Sequence, residues 1–529
     1  MIKIALLYIH TLRFLKFRQI YYQLYYRIKW TFFYRIANYK KWDLLQWDLR
    51  AISYPYIYCG NQSIRHLSFD LLNQTKEFEN AVDWNFSEYG KLWNYHLQYM
   101  DYLLDDSIPI NQRSDLLKDI SNHILKGVLK LEPYPVSRRI VSSLLFINSY
   151  NQDLDPSITF ALKRQVHFLE SNIEYHLDAN HLLENYMALC FAFCYLNEKV
   201  KFDFYYIKLN EQLDKQLLSD GAHFEKSPSY HLHILYRLLL IYQTAEVYFN
   251  PLTDLTKLKD FISKMVSWAD QMMLNQSNFP LFNDSTYGQN PDYIQLQSIW
   301  KRLVTSFKEI ELSESGYRKL QQHDFCLIVN CGHVIPVFQP GHIHADMLHL
   351  VLYYKDKAVL VDCGISTYEN NLIRLFEKST ASHNTICYEN ENQSQIWGAF
   401  RMAKRAKIQL ISFSKNSLEA RVTWHNGFQH TRKILLTENC LCIEDSVVPL
   451  NRKFKSTIAN FHFDAGIQIV PIETEWYIQE LGLRINFEGS HQSELVPFEQ
   501  AVDFNSKLDS TKLAVQFEET LVTYFKLIS

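Results

Sequence analysis

Near Phe307 the hydrophobic pattern of this 529-residue chain changes period, and that change constrains the fold more than any other feature. From about Ser87 to Phe307, apolar residues recur at three- and four-residue spacing in Leu92–Leu104, Arg113–Leu129, Ile140–Tyr150, His181–Leu196, His231–Phe249 and Leu255–Asn275. That spacing predicts helices with one buried face, separated by short polar or proline-containing joins. A long run of paired helices buries its faces only by closing on itself or by stacking as a solenoid. Beyond Phe307 the runs Asp324–Asn330, Leu348–Tyr354, Lys407–Phe413, Ser417–Trp424, Thr431–Thr437 and Cys440–Val448 are short, β-branched or alternating, and Ala514–Leu527 continues the pattern. They predict an antiparallel β-sandwich.

A chain of this length is too long for one core. The expected division is an N-terminal helical extension over 1–85, a helical domain over 86–315 and a sandwich over 316–529. Hydrophobic residues make up 47% and aromatics 15%, which fits a folded globular chain. Tyr and Phe, 34 each, suit both sugar stacking and core filling. With 54 basic and 57 acidic residues the net charge is -3, so nothing global attracts nucleic acid, and any attraction to an acidic substrate must be local to a cleft. Nine cysteines without a Cys-x-x-Cys pair predict free, buried thiols.

No run of eighteen apolar residues predicts a membrane span. The first 42 residues are unusual in another respect. No acidic residue precedes Asp43, while Lys3, Arg13, Lys16, Arg18, Arg27, Lys29, Arg35, Lys40 and Lys41 interleave with Phe, Tyr, Leu and Ile. Met1–Ile9 is too short for a secretory signal and lacks a small-residue cleavage site. A basic aromatic helix of this kind suits peripheral contact with an anionic membrane surface through residues 1–42, and suits equally a helix packed on the main domain with its cations in water.

The richest chemistry is in Gly341-His342-Ile343-His344-Ala345-Asp346, followed by Val361-Asp362-Cys363-Gly364 and Ser379-Thr380-Ala381-Ser382-His383-Asn384-Thr385. Asp362 lies 18 residues after His344, and His383 a further 21, a set of imidazoles and a carboxylate suited to a divalent metal. Met347–Tyr354 reads as a strand, Lys355–Lys357 as a turn and Ala358–Val361 as a return strand, which would bring Asp362 beside His344. In a strand His342 and His344 would share a face, one free to hold a metal while the other faces a cleft.

In the helical half, Asn180-His181-Leu182-Leu183-Glu184-Asn185 opens a long helix, and its three- and four-residue spacings predict that the four polar groups converge on one side. Asp220–His231 contains Ser227-Pro228, suited to an N-cap and first helical residue, with Tyr230 in the first turn. Pro280-Leu281-Phe282-Asn283-Asp284-Ser285 is a polar loop after a helix. Leu92–Tyr99, with Trp93, and Glu132–Arg139, with Tyr134 and Arg139, supply aromatics and arginines that stack on sugar and grip carboxylate or sulfate.

The run Gly-His-x-His-Ala-Asp, then Val-Asp-x-Gly, then Ser-Thr-x-x-His-Asn-Thr resembles the C-terminal domain of the heparinase II/III-like polysaccharide lyases, and the helical motifs resemble, in order, that family's helical domain. The likeness runs from about Leu92 to Gly427. It implies an incomplete α/α toroid followed by an antiparallel β-sandwich. It also implies β-elimination on an acidic, uronate-containing glycan, which requires a carboxylate neutraliser, a base and an acid. Tyr230 is implied as base and as acid on the leaving group, and His342 as partner base. The cluster Asn180, His181, Glu184 and Asn185 would hold the uronate carboxylate, with either Asn180 or His181 as neutraliser. His344, Asp362 and His383 match the family's structural metal ligands, implying zinc. His425, in Trp424-His425-Asn426-Gly427-Phe428, matches a further family segment near substrate, and Arg139, Tyr134, Trp93 and Asn283 are the other expected substrate contacts. The alternative is a non-catalytic or differently acting glycan-binding protein on the same scaffold, serving capsule or lipopolysaccharide assembly.

Overall fold

The computed structural model describes residues 2–32, 47, 48, 50, 52, 62–149, 155–275, 278–303, 309–448 and 457–528. Arg35, Lys40, Lys41 and the expected boundary at Phe307 lie outside the described residues, as does the Lys3 side chain.

The helical half runs from Lys91–Tyr99 to Tyr293–Leu303. Its centre is the Ala179–Tyr195 helix, in which every residue except His181 is buried. A helix apolar on all sides must be enclosed. It packs against Pro133–Ser149, Lys199–Gln216 and Pro228–Phe249, and Thr256–Met272 packs on the last of these. Helices Pro156–Ser171, Lys199–Gln216 and Tyr293–Leu303 join those that the spacing singles out. Asp155 caps the first by accepting from Ser157 N, with proline in the first turn.

The N-terminal 85 residues differ from the all-helical expectation. Helices α1 (Ile2–Leu12) and α2 (Phe17–Phe32) are followed by a three-stranded sheet, Ser63–Arg65, Ser68–Leu71 and Gln74–Glu77. Leu72 and Asn73, both at positive φ, make the tight hairpin turn, and Phe69 and Leu71 enter the helical core.

Among the described residues, two larger antiparallel sheets build the sandwich half, with a two-stranded ribbon, Ile396–Gly398 and Arg401–Met402, beside them. Tyr317–Gln322, Phe325–Asn330, Leu350–Tyr354 and Lys357–Leu360 form the smaller. The larger is built on the adjoining long strands Leu483–Asp503 and Ser506–Leu527, with Lys407–Phe413, Ser417–Thr423, Gln429–Leu436 and Cys440–Val448 beside them. Leu327, Val329, Leu350 and Leu352 face the larger sheet. Ile328, Val351 and Tyr353 face Trp268, Met272 and Phe282 of the helical half. Phe325–Asn330 and Leu350–Tyr354 are therefore buried on both faces, which explains their unbroken apolar runs.

Candidate active site

The two halves meet at a cleft of about 1510 Å³. Three of the segments that deliver side chains into it begin at positive φ. Asp178 (φ 62°) and Ala179 (φ 50°) precede Asn180, Lys226 (φ 54°) precedes the Pro228–Phe249 helix bearing Tyr230, and Asn283 (φ 57°) precedes Asp284. Non-glycine residues in this region cost about 1–3 kcal/mol each and persist where surrounding contacts enforce them. Those contacts are present. Ser227 Oγ donates to the Asp284 carbonyl at 2.7 Å and caps Tyr230 N, while Asn283 Nδ2 donates to the Lys226 carbonyl and to Tyr317 Oη, both at 3.0 Å.

Asp284 is the hub. It is fully buried, and its carboxylate accepts from His342 Nδ1 (2.8 Å), His344 Nε2 (2.8 Å) and Arg374 Nη2 (2.6 Å). Burial alone would raise its pKa, but the Arg374 guanidinium and the two imidazoles hold it well below the ordinary carboxylate range. An ionised carboxylate only accepts, so His342 carries its proton on Nδ1 and His344 on Nε2. The free lone pairs are then His342 Nε2 and His344 Nδ1. The expected strand at His342 and His344 is absent. Both sit in a turn-rich loop ahead of Leu350–Tyr354, and they converge because they bind opposite oxygens of one carboxylate.

His342 Nε2 lies 3.5 Å from Asn180 Nδ2, which donates to Glu225 Oε2 at 2.7 Å. Burial raises the Glu225 pKa, with His342 and Asn180 partly opposing the shift. The Tyr230 ring centroid is 4.4 Å from that of His342, and its hydroxyl is 3.0 Å from the Tyr368 hydroxyl. Burial, then Tyr368, push the Tyr230 pKa well above the ordinary phenol value, so it is protonated. His181 pairs with Glu174 at 3.1 Å and lies against Tyr134 at 4.5 Å between ring centroids. Against the downward push of burial, Glu174 raises the His181 pKa. Asn180, His181, Tyr134, Tyr230 and His342 all line the cleft.

Other expected site residues stand elsewhere. Glu184 lies beneath the cleft, pairing with His233 Nε2 and Arg237 Nε at 3.2 Å each. Asn185 donates to Ser137 Oγ and Glu174 Oε2 and accepts from Glu174 N, all inside the helical core. Only the first turn of their helix reaches the cleft, so side chains one turn later point into protein. Arg139 is fully buried against Gln165 Oε1 and the Gln98 carbonyl. Neighbouring helix positions point in different directions, and it is Arg138, bound to Asp101 at 2.6 Å, that lines the cleft. Trp93 is buried with Nε1 on the Gln74 carbonyl, Asn283 braces its loop, and His425 bonds through its backbone N–H to Gln393, outside the cleft lining.

Sequence reasoning also missed partners. Glu225, Asp284 and Arg138 fall inside motifs it singled out, as neighbours of the chosen residues. Tyr368 and Arg374 fall in none.

Behind the cleft, Asp362 lies 2.9 Å from His349 Nε2 and 3.2 Å from His383 Nδ1, so the nearest neighbours of this carboxylate include His349, not His344 as expected. The His344 and His383 ring centroids are 5.3 Å apart. His349 Nδ1 accepts from Asn384 N at 2.9 Å, which puts its proton on Nε2 and makes it a donor toward Asp362. His383 Nδ1 donates to Asp362, leaving Nε2 as acceptor. His344 Nδ1 and His383 Nε2 are thus buried lone pairs without a hydrogen-bond partner. His349, Asp362 and His383 place ligand atoms within 4.8 Å of one another, an arrangement that could hold a metal ion, with His344 Nδ1 close behind.

The fold and motifs agree with known proteins. Residues 133–311 match the heparinase II/III N-terminus model and residues 306–495 the heparinase II/III-like C-terminal model. A heparin-sulfate lyase from Pedobacter heparinus is 23% identical over 344 residues, 58% of this chain and 49% of that protein, so the match spans about half the relative's length. The solved structure of a heparinase III superposes with a TM-score of 0.65 at 14% identity, covering 85% of this chain and 80% of the other. A mutant heparan sulfate lyase from Pedobacter heparinus gives 0.60 at 15% identity, covering 92% and 87%. The family models together span more than half of the sequence, in the expected order over a toroid-and-sandwich fold, and the chain belongs to the heparinase II/III-like family.

Proposed function

We propose that the protein is a polysaccharide lyase that cleaves an acidic, uronate-containing glycan by β-elimination. The observation that carries this reading is the convergence of Asn180, Tyr230 and His342 at one point of the cleft, with Asp284 fixing the imidazole. The names of the relatives, lyases of heparin and heparan sulfate, point to the same substrate class.

The C5 proton of a uronate is poorly acidic until the adjacent carboxylate is neutralised. Asn180 Nδ2 is placed for that work, and Glu225, its pKa raised by burial, adds little repulsion when it carries a proton. His342 Nε2, its lone pair turned away from Asp284, takes the C5 proton. The electron pair left at C5 forms the C4–C5 double bond as the C4–O bond breaks, and the protonated Tyr230 hydroxyl delivers its proton to the departing oxygen. This assigns base and acid to different side chains, where family resemblance implied Tyr230 for both with His342 as partner base. The Tyr368 hydroxyl, 3.0 Å away, can turn to donate to the phenolate once the Tyr230 proton has left.

A divalent ion, zinc by the character of its ligands, would be held by His344 Nδ1, His383 Nε2 and Asp362, with His349 bracing the carboxylate. It would supply structural rigidity by tying the His342 loop to the two segments behind it.

The test is ultraviolet absorbance during incubation with a panel of uronate polysaccharides, comparing the parent with Tyr230→Phe. Absorbance rising with the parent, and about 10²–10⁴-fold more slowly with the variant, is the expected result. No unsaturated product from any acidic glycan would remove the reading.

A further inference from the structure

Helix α2 is amphipathic, but its apolar side faces outward. Phe17, Ile20, Tyr21, Leu24, Tyr25 and Ile28 recur at three- and four-residue spacing and are 42–82% exposed. The opposite side binds the protein. Lys16 and Arg18, at its start, pair with Asp178 at 3.1 and 3.6 Å, Tyr26 donates to the Ile173 carbonyl, and Lys29 donates to Asn172 Oδ1 at 3.0 Å. Helix α1 repeats the pattern. Ile4, Leu6, Ile9 and Leu12 are 47–59% exposed, while Tyr8 packs on Trp397 at 4.8 Å and Thr11 Oγ1 accepts from Trp397 Nε1 at 3.1 Å.

A surface helix normally turns its apolar stripe inward, and a contiguous exposed stripe marks a docking face. The occupant is indicated by charge and composition. Not one acidic residue occurs before Asp43. Exposed Arg13 and Arg27 flank the stripe, and tyrosines are frequent along α2. Apolar stripe, cationic flanks and amphipathic aromatics together are the signature of a helix lying in a lipid headgroup layer. We propose that α1 and α2 seat the protein on an anionic lipid bilayer surface. Gln23, Tyr26 and Arg27 of α2 also line the cleft, so this seating holds the cleft mouth beside the bilayer.

The proposal does not depend on lyase activity. Its test is co-sedimentation of the full chain with phosphatidylcholine vesicles and with vesicles enriched in phosphatidylglycerol, for the parent, for Ile20→Glu/Leu24→Glu/Ile28→Glu, and for Arg13→Gln/Arg27→Gln. The substituted side chains are exposed, and unchanged circular dichroism and melting verify the fold. The expected result is binding that prefers anionic vesicles and weakens with salt. The two-cation variant should bind about 25-fold more weakly, at about fivefold per cation, and the triple variant at least about 100-fold more weakly. Absence of binding to either vesicle, binding blind to lipid charge, or undiminished binding by the triple variant would each overturn it. So would a dimer in lipid-free sedimentation that the triple variant abolishes, since a second copy would then own the face.

Discussion

Replacing Asp284 by asparagine tests the hub at constant size. One carboxylate oxygen, Oδ2, accepts from both His342 and Arg374, and the other, Oδ1, from His344. The amide satisfies most donors by placing its oxygen at the Oδ2 position. Its NH2 group then meets His344 Nε2, donor against donor. Relief requires His344 to move its proton to Nδ1, which removes the lone pair proposed to hold the metal. Arg374, whose side chain is fully buried, loses its counter-charge at the same time, and breaking a buried ion pair from one side costs about 3–5 kcal/mol.

Two outcomes are expected together. The Asp284→Asn protein melts several degrees below the parent, and after dialysis it retains less zinc, measured by atomic emission on folded protein. Elimination should fall less than for Tyr230→Phe, because the amide oxygen still fixes the His342 tautomer. A variant that melts with the parent and keeps its full metal content would refute the hub, and a parent that carries no metal would refute the metal site.

Tyr368→Phe leaves the ring packed on Phe504 and Phe400, at 4.9 and 5.3 Å between centroids, and removes one hydrogen bond to Tyr230. Turnover should drop about 2- to 10-fold, the equivalent of roughly 0.5–1.5 kcal/mol, with KM unmoved in a steady-state assay. Arg139→Ala strands the buried Gln165 oxygen and the Gln98 carbonyl and should lower stability by about 1–3 kcal/mol per group in denaturant titration, without altering KM. Glu184, despite its burial, is held at about 2 by Arg237 and His233. A depressed folded pKa stabilises above the unfolded value and is lost as pH falls. Acid melting of Glu184→Gln should therefore be flatter than the parent's between about pH 4.3 and about 2.

How much was legible in the sequence depended on whether the deciding contact was local. Helical spacing located the Ala179–Tyr195 helix, because burial of its neighbours' faces repeats every turn. The same spacing misplaced Glu184 and Asn185. Convergence on one side of a helix says nothing about which side meets solvent, and this helix is enclosed beyond its first turn. The His-x-His pair was visible, but its strand was not formed. The geometry there is set by Asp284, nearly sixty residues earlier in the chain and in the other half. Tyr368 and Arg374 carried no signal, since an isolated Tyr or Arg acquires its role only from the partner that the fold brings to it.

The distribution of the hub between halves has its own consequence. Asp284, Asn180 and Tyr230 belong to the helical half, while His342, His344, Arg374 and Tyr368 belong to the sandwich. Neither half alone can satisfy these groups, and burying a carboxylate with a guanidinium returns little net stability by itself. Docking must be driven by apolar surface, and the face shared by Trp268, Met272 and Phe282 with Ile328, Val351 and Tyr353 supplies it. The polar hub then selects one docked arrangement, because any slip leaves buried charge unpaired. The geometry of the candidate site is thus a property of the interface, and substitutions in that apolar face should disturb the site before they unfold either half.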